Sequence, residues 1–425
     1  MIQNLDVYLW GQKVGSLTTY QAKYTERVCF YFDAGFANGS LDIAPLRASI
    51  RSKAVQNGLP IYAEEEKIFG GLPSFIADSL PDNWGNRVFE EWAKANHIRL
   101  RDITALDRLA YMGRRGMGAL EFLPPAAEEM ESSFKVRIAD LYEQAQVALA
   151  ETETFHASLG RDIMLQSLFK VGTSAGGRRP KAIINVNPDT MECYSGQVAT
   201  PASGFIPMII KFQEQGDIPT PRIEYSYYLM ANAIGLRMMP SRIVKDGSLT
   251  HFLTERFDRR GEQKLHVQTL AAMNPSASSY EDLFDVACRI GIVPTELQQI
   301  FLQMVMNVLS ANVDDHNKNF SFMMAPDGIW HVAPAYDFTF SIDTAAPWYV
   351  NRHSMTINGR DTDFSCNDML EVARRFNIKK AKTIIDNAII VTKLYPQFAK
   401  EAGVEERWSK CIFQEIEKRG AWLES

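Results

Sequence analysis

The chain has 425 residues, room for two or three domains, and 46% of them are hydrophobic, enough to fill real cores. A formal net charge of -6 and a pI near 5.8 argue against the broad basic field that nucleic-acid binders carry. Cys29, Cys193, Cys288, Cys366 and Cys411 stand far apart, with no CxxC or Cys/His zinc spacing, and five is a poor number for a disulfide framework.

Reduced thiols in a cytoplasmic protein are the expectation. The first six residues lack the basic-then-apolar pattern of a signal peptide, and no apolar run reaches the length of a bilayer span, so no membrane partner is expected.

Taken in chain order, residues 5–32 alternate apolar and polar side chains (Leu5, Val7, Leu9, then Val28, Phe30, Phe32), with Gly11 and Gly15 as turn formers. This predicts a small β-rich unit. After Pro60 the spacing becomes helical, through Phe75, Ile76, Leu80, Val88, Phe89 and Trp92. The run Pro124-Pro125-Ala126-Ala127-Glu128-Glu129 reads as a hinge, because paired prolines stop regular structure. A helix over 138–150 follows, then strands over 182–186 and 205–212 around the turn Asn187-Pro188-Asp189. A helix over 222–236 ends at Gly235 and Pro240, and an apolar strand over 251–257 comes next. From Tyr280 onward the pattern is mainly helical. Leu297, Ile300, Phe301, Met304, Val305, Val308 and Leu309 make one apolar face, and further helices are expected near 369–375, 381–394 and 406–418. The expected fold class is α+β: a two-lobed, protein-kinase-like arrangement with a β-rich N-lobe, an added N-terminal subdomain (1–125), a nucleotide-binding part (126–259) and a helical C-lobe (260–425), although the order of elements alone also fits other α+β proteins.

Phosphoryl transfer needs a carboxylate to orient the attacking hydroxyl and oxygen ligands to hold magnesium. Val313-Asp314-Asp315-His316-Asn317-Lys318-Asn319 places an Asp and an Asn five positions apart, the spacing of a kinase catalytic loop. Asp315 competes for the role of base but fits that spacing less well. Downstream, Ala335-Tyr336-Asp337-Phe338-Thr339 departs from Asp-Phe-Gly only in its last residue. Between the two, 320–324 and 329–332 read as a hairpin turned by Pro326-Asp327-Gly328. Thr in place of Gly removes easy access to positive φ, so an Asp-Phe flip is not expected.

Lys211 closes an apolar strand, where a lysine can reach phosphates, although a solvated strand-end lysine has the same sequence. Glu224 on the next helix either pairs with Lys211 or is an ordinary solvated carboxylate. The stretch Gly172-Thr173-Ser174-Ala175-Gly176-Gly177-Arg178-Arg179-Pro180-Lys181 is neither Walker A nor GxGxxG. Small residues and cations suit a phosphate-covering loop, and they equally suit a flexible basic surface loop. His316, His331 and His353 lack the spacing of a metal site. Gly116-Met117-Gly118 reads as a turn, and no GxSxG elbow is present.

At these residues the sequence resembles the HipA family of serine/threonine kinases, toxins of HipBA-type toxin–antitoxin pairs. The matching segments are the loop from Gly172 to Lys181, Ile209-Ile210-Lys211-Phe212, Thr254-Glu255-Arg256-Phe257-Asp258-Arg259, the loop from Asp314 to Ser321, and Pro334-Ala335-Tyr336-Asp337. Gly71-Leu72-Pro73, Leu80-Pro81-Asp82 and the stretch from Tyr111 to Leu120 look like the family's N-terminal subdomain. The resemblance implies ATP and magnesium as cofactors, with Asp314 as general base, Asn319 and Asp337 on the metal, and His316 and Lys318 supporting the loop or the phosphates. It further implies Lys211 on the phosphates, with Ser174, Ala175, Gly176 and Lys181 completing that site. Glu255 and Phe257 would hold adenine, and Ser174 would be an autophosphorylation site whose added charge switches the enzyme off.

The same resemblance implies a small helix-turn-helix antitoxin (HipB-like) as partner, DNA reached mainly through that antitoxin, and a protein substrate such as an aminoacyl-tRNA synthetase. A pseudokinase or binding module acting as co-repressor and a small-molecule kinase are the alternative readings.

Overall fold

The computed structural model describes residues 2–22, 25–63, 69–126, 134–149, 168, 179–195, 203–214, 216, 218–346 and 350–424. It divides into two compact units. The first comprises Met1–Phe212, Thr254–Gln268 and Met324–Ile329, and the second Gln213–Leu253, Thr269–Met323 and Trp330–Ser425.

The first unit is built on antiparallel sheets. Five strands line up in the order Ile61–Tyr62, Thr25–Phe32, Gln12–Ala22, Asn4–Leu9, Leu120–Leu123. The alternation seen in the sequence becomes a buried face, with Leu5, Val7 and Leu9 inward. Trp10 and Gly11 make the first two-residue turn, with φ of 48° and 79°. A hairpin turn of this hand needs positive φ at both positions, which Gly11 gives freely. Trp10 is held there by its indole N–H, which donates to the Lys264 carbonyl at 2.7 Å. Helices Asn83–Ala95 and Ala105–Met112 bring Phe89, Trp92 and Tyr111 into one aromatic cluster.

Four more strands of this unit run antiparallel in the order Lys135–Val136, Cys193–Ser195, Lys181–Val186, Ile206–Lys211. All six residues of Lys181–Val186 are buried, and Trp84 Nε1 donates to the Lys181 carbonyl at 2.7 Å, tying helix Asn83–Ala95 to that strand. The expected helix over 138–150 is Ile138–Leu149. Of the expected hinge, residues 127–129 lie outside the described residues.

The second unit is mainly helical. Its centre is Pro294–Leu309, which starts with proline in its first turn and buries every residue from Ile300 to Leu309. An apolar stripe alone would predict one buried face, whereas this helix is enclosed all round, with Gln303 and Asn307 inside as well. Burying each of its Leu, Ile, Val and Phe side chains is worth about 1.5–3 kcal/mol. Around it lie Thr220–Ile234, Tyr280–Arg289, Cys366–Arg375, Ala381–Thr392, Tyr395–Ala402 and Glu406–Glu424. Capping boxes at Ser279/Asp282 and Ser365/Asp368 fix two of the starts. The expected hairpin is present as Ser321–Met324 beside Trp330–Val332, with Gly328 at φ 78°.

The strand expected over 251–257 runs from Leu249 to Glu255 and stops there. Arg256 turns its side chain into a buried pair with Asp258, so Phe257 stands two residues beyond the strand.

Candidate active site

The loop that leaves Pro294–Leu309 is held at its root. Ser310 Oγ donates to the Met306 carbonyl at 2.7 Å, the Tyr227 hydroxyl donates to the Ser310 carbonyl, and Ala311 takes a φ of 59°. The chain then presents two adjacent aspartates in opposite ways. The Asp314 side chain is 68% exposed, while that of Asp315 is fully buried.

Asp315 is saturated. Its Oδ2 accepts from Tyr280 Oη at 2.7 Å and from His353 Nδ1 at 2.8 Å, and its Oδ1 accepts from the Ser354 and Met355 amides at 2.8 and 3.4 Å. Four donors fill the lone-pair positions of an ionised carboxylate. Asp314, preferred in the sequence as base, and its competitor Asp315 differ sharply in exposure. A base must reach a substrate proton, and only Asp314 has a carboxylate turned to solvent.

Around Asp314 the supporting contacts are short. Its amide donates to Ser341 Oγ at 3.0 Å, and its carbonyl accepts from Asn319 Nδ2 at 2.7 Å. That bond uses the Asn319 amide nitrogen, so its side-chain oxygen is the atom that could face a hard cation. His316 Nε2 lies 3.9 Å from Asp314 Oδ1, and its Nδ1 accepts from the Lys318 amide at 3.2 Å. Lys318 has an exposed side chain, and its carbonyl accepts from Tyr336 Oη at 2.8 Å. Tyr336 Oη also lies 2.6 Å from Ser321 Oγ. One phenol thus joins the loop, the first hairpin strand and the residue just before Asp337.

At the Asp337-Phe338-Thr339 segment, Phe338 is buried and meets the Tyr227 ring edge-on, with centroids 5.3 Å apart. Asp337, not Thr339, carries the positive φ, 50°. Threonine therefore sits in an ordinary backbone conformation, and the position has no need of glycine.

In the first unit, Lys181 and Lys211 are register partners on adjacent antiparallel strands. Lys181 has a side chain only 2% exposed, with Nζ 3.5 Å from Asp82 Oδ2. Lys211 is half-buried, as are Glu255 and Phe257. Glu224, in the second unit, is buried, which removes the reading as a solvated carboxylate. Ser174, Ala175 and Gly176 lie outside the described residues.

Beside Glu255, Asp258 is fully buried between two guanidiniums. It accepts from Arg256 Nε and Nη2 at 2.9 and 2.8 Å, from Arg259 Nη1 at 2.6 Å, and from the Gly118 amide at 2.7 Å. Burial alone would raise its pKa, but Arg256, Arg259 and the Gly118 amide together hold it well below the usual carboxylate range. Gly118 (φ 77°) is thus more than the turn read from the sequence, being an anchor for the Glu255-to-Arg259 segment. No local pattern announces a bond spanning 140 residues. Tyr280, Ser341 and His353 were missed as parts of the site for the same reason.

No helix is long and apolar enough to cross a membrane, among the described residues. Comparison with known proteins gives a coherent result. The HipA N-terminal domain matches residues 5–123, and the HipA-like C-terminal domain matches residues 173–402. The serine/threonine-protein kinase toxin HipA of Shewanella oneidensis is 26% identical over 196 residues, which is 39% of this chain and 44% of that protein. The aligned stretch therefore spans less than half the length of that relative. Among solved structures, the Shewanella oneidensis MR-1 complex of HipA, HipB and operator DNA matches with a TM-score of 0.69 and 16% identity, over 99% of this chain and 97% of the matched chain. That likeness establishes the fold. A Helicobacter pylori proinflammatory kinase matches with a TM-score of 0.35 and 13% identity, over 51% of this chain and 88% of that one, too distant to bear on it.

Proposed function

The chain belongs to the HipA family, and from that premise we propose that it is an ATP- and magnesium-dependent protein serine/threonine kinase serving as the toxin of a toxin–antitoxin pair. The observation that carries the reading is the division of labour between Asp314 and Asp315: an exposed carboxylate on a loop whose next residue is locked into the core. Asp314 is the general base, taking the proton of a substrate hydroxyl as that oxygen attacks the terminal phosphorus of ATP. Asn319 and Asp337 supply the hard oxygen ligands that suit magnesium, which when bound neutralises phosphate charge. Lys181 and Lys211 are the phosphate-binding cations, and the segment holding Glu255 and Phe257 receives the adenine. His316 and Lys318 support the loop around Asp314. Ser174 is the autophosphorylation site.

The partner is a small helix-turn-helix antitoxin resembling HipB, and DNA is reached through it, which suits the acidic balance of this chain. A translation component such as an aminoacyl-tRNA synthetase is the substrate class, and its phosphorylation would arrest growth. The test is incubation with magnesium and labelled ATP beside an Asp314→Ala variant, followed by phosphosite mapping. Phosphate on Ser174 in the parent alone supports kinase, base and self-modification together. No incorporation with no ATP binding by calorimetry overturns the kinase reading. Binding without transfer, even with candidate substrates present, favours a pseudokinase.

A further inference from the structure

The hydrogen bonds around the catalytic loop run in one direction and nearly close a ring. The Asp314 amide donates to Ser341 Oγ (3.0 Å), and the Ser341 hydroxyl donates to Asn312 Oδ1 (3.3 Å). Asn312 Nδ2 donates to Asn307 Oδ1 (3.0 Å), and Asn307 Nδ2 donates to Tyr280 Oη (2.9 Å). Tyr280 then donates to Asp315 Oδ2 (2.7 Å). The chain of donors starts on the backbone of Asp314 and finishes on the side chain of its neighbour.

Each step has only one workable polarity. Asp315, filled by four donors, acts as acceptor throughout. Burial and the adjacent Asp315 charge push the Tyr280 phenol well up, so it keeps its proton and donates it. Asn307 is 2% exposed and Asn312 4%, so water does not compete for their amides. Donor chains of this kind polarise one another and strengthen with length.

The remaining side-chain donor to Asp315 comes from beyond Asp337. His353 is buried, and its Nδ1–H is the donor at 2.8 Å, since an ionised carboxylate offers no proton. Its Nε2 is buried with no hydrogen-bond partner and lies in a ring that meets Phe364 edge-on. The segment carrying His353 is stitched to the loop by Ser354 N to the Val313 carbonyl (3.1 Å), and to the start of helix Tyr280–Arg289 by Thr356 N to the Ser278 carbonyl (2.9 Å) and Tyr280 N to the Thr356 carbonyl (2.9 Å). Arg352 Nη1, which donates to both Asp361 oxygens at 2.7 and 2.9 Å, holds its far end.

We propose that His353 and Tyr280 are positioning residues that fix the orientation of Asp314 through Asp315 and this ring. The segment around 350–356 would thereby lock the catalytic loop in its working geometry with no activating phosphorylation of its own. The role in turnover rests on the kinase reading, so the test includes one readout that does not.

The experiment compares the full-length parent with His353→Ala, His353→Asn and Tyr280→Phe. Phosphate incorporation from labelled ATP is measured at saturating ATP, ATP affinity by calorimetry with magnesium, and amide exchange over residues 310–319 by mass spectrometry. Asparagine places its Nδ2 where His353 has Nδ1, so it keeps the bond to Asp315. The expected results are about a tenfold or greater loss of rate in His353→Ala, the scale of a misplaced catalytic group, with ATP affinity unchanged. Recovery in His353→Asn to within about threefold of the parent and an intermediate Tyr280→Phe complete the expectation. Amide exchange at 310–319 should accelerate in His353→Ala and return toward the parent in His353→Asn. Equal rates in parent and His353→Ala, or an Asn variant as defective as Ala, would overturn the positioning role. If the parent neither binds ATP nor transfers phosphate, the kinase reading fails, and unchanged exchange in His353→Ala then separately refutes the clamp.

Discussion

Lys181 and Lys211 face one another as register partners across two antiparallel strands, so their ammonium groups project to the same side of the sheet. Like charges placed this way repel. Asp82 answers part of that repulsion at 3.5 Å from Lys181, and a bridging polyphosphate would answer more of it. Lys211→Met is expected to weaken ATP binding by about 10- to 100-fold, the range for losing one charge-assisted hydrogen bond set. Calorimetry with magnesium present checks this.

The two aspartates should fail differently. Asp314→Asn is expected to lower phosphate transfer by about 10²–10⁴-fold with the melting temperature nearly unchanged, because its side chain is exposed. Asp315→Ala strands the donors of Tyr280, His353 and Ser354 in the core and is expected to cost about 3 kcal/mol or more of stability. Urea unfolding of both variants beside turnover separates the roles. Equal destabilisation by the two would contradict the assignment.

Asp258 gives an acid-limb prediction. Its folded pKa is depressed against a burial effect that works the other way, so its contribution is complete above the unfolded carboxylate value of about 3.9. That contribution is lost as the pH falls below this value and through the folded one. Asp258→Asn should cost about 3–5 kcal/mol at neutral pH, since it leaves Arg256 and Arg259 buried without their counter-charge. The stability difference between parent and variant should narrow in acid, as urea midpoints at pH 7 and pH 3 would show.

His266 acts at higher pH. Burial pushes its pKa down to about 4, opposed by its bond to the Ile43 carbonyl at 3.1 Å. The folded state therefore holds the ring neutral, while the unfolded chain takes up a proton below about 6.5. Stability should be full above that value and fall by up to about 3 kcal/mol as the pH drops toward 4. His266→Gln is expected to flatten this slope, and chemical denaturation between pH 4 and 7 would detect it.

The loop, the hairpin and the segment after it were legible because they sit in short windows: six residues from Asp314 to Asn319, then Ser321–Met324 beside Trp330–Val332, then Asp337. What stayed hidden was the burial of Asp315 against the exposure of Asp314, since both are aspartates in one turn and only tertiary partners tell them apart. Tyr280, Asn307, Ser341 and His353 are spread over more than 70 positions, and no periodicity joins them. Phe257 was placed on a strand by its apolar neighbours, but the ion pair of Arg256 with Asp258 ends that strand early. Thr339 was read as costing easy access to positive φ where the motif has glycine, and in the structure the positive φ of this segment lies at Asp337.

The first unit is assembled from three separate stretches of chain, the last beginning at Met324. During synthesis, the Gly118 amide emerges 140 positions before the carboxylate it donates to, and Lys264 Nζ reaches Glu121 across 143 positions. Until those partners leave the ribosome, the N-terminal sheet has buried surface to fill and cations or carboxylates still to arrive. A newborn chain stalled near Phe212 should remain open to protease and to chaperones. No single cut can yield two self-sufficient fragments, so split-protein versions would need the piece containing Thr254–Gln268 supplied in trans.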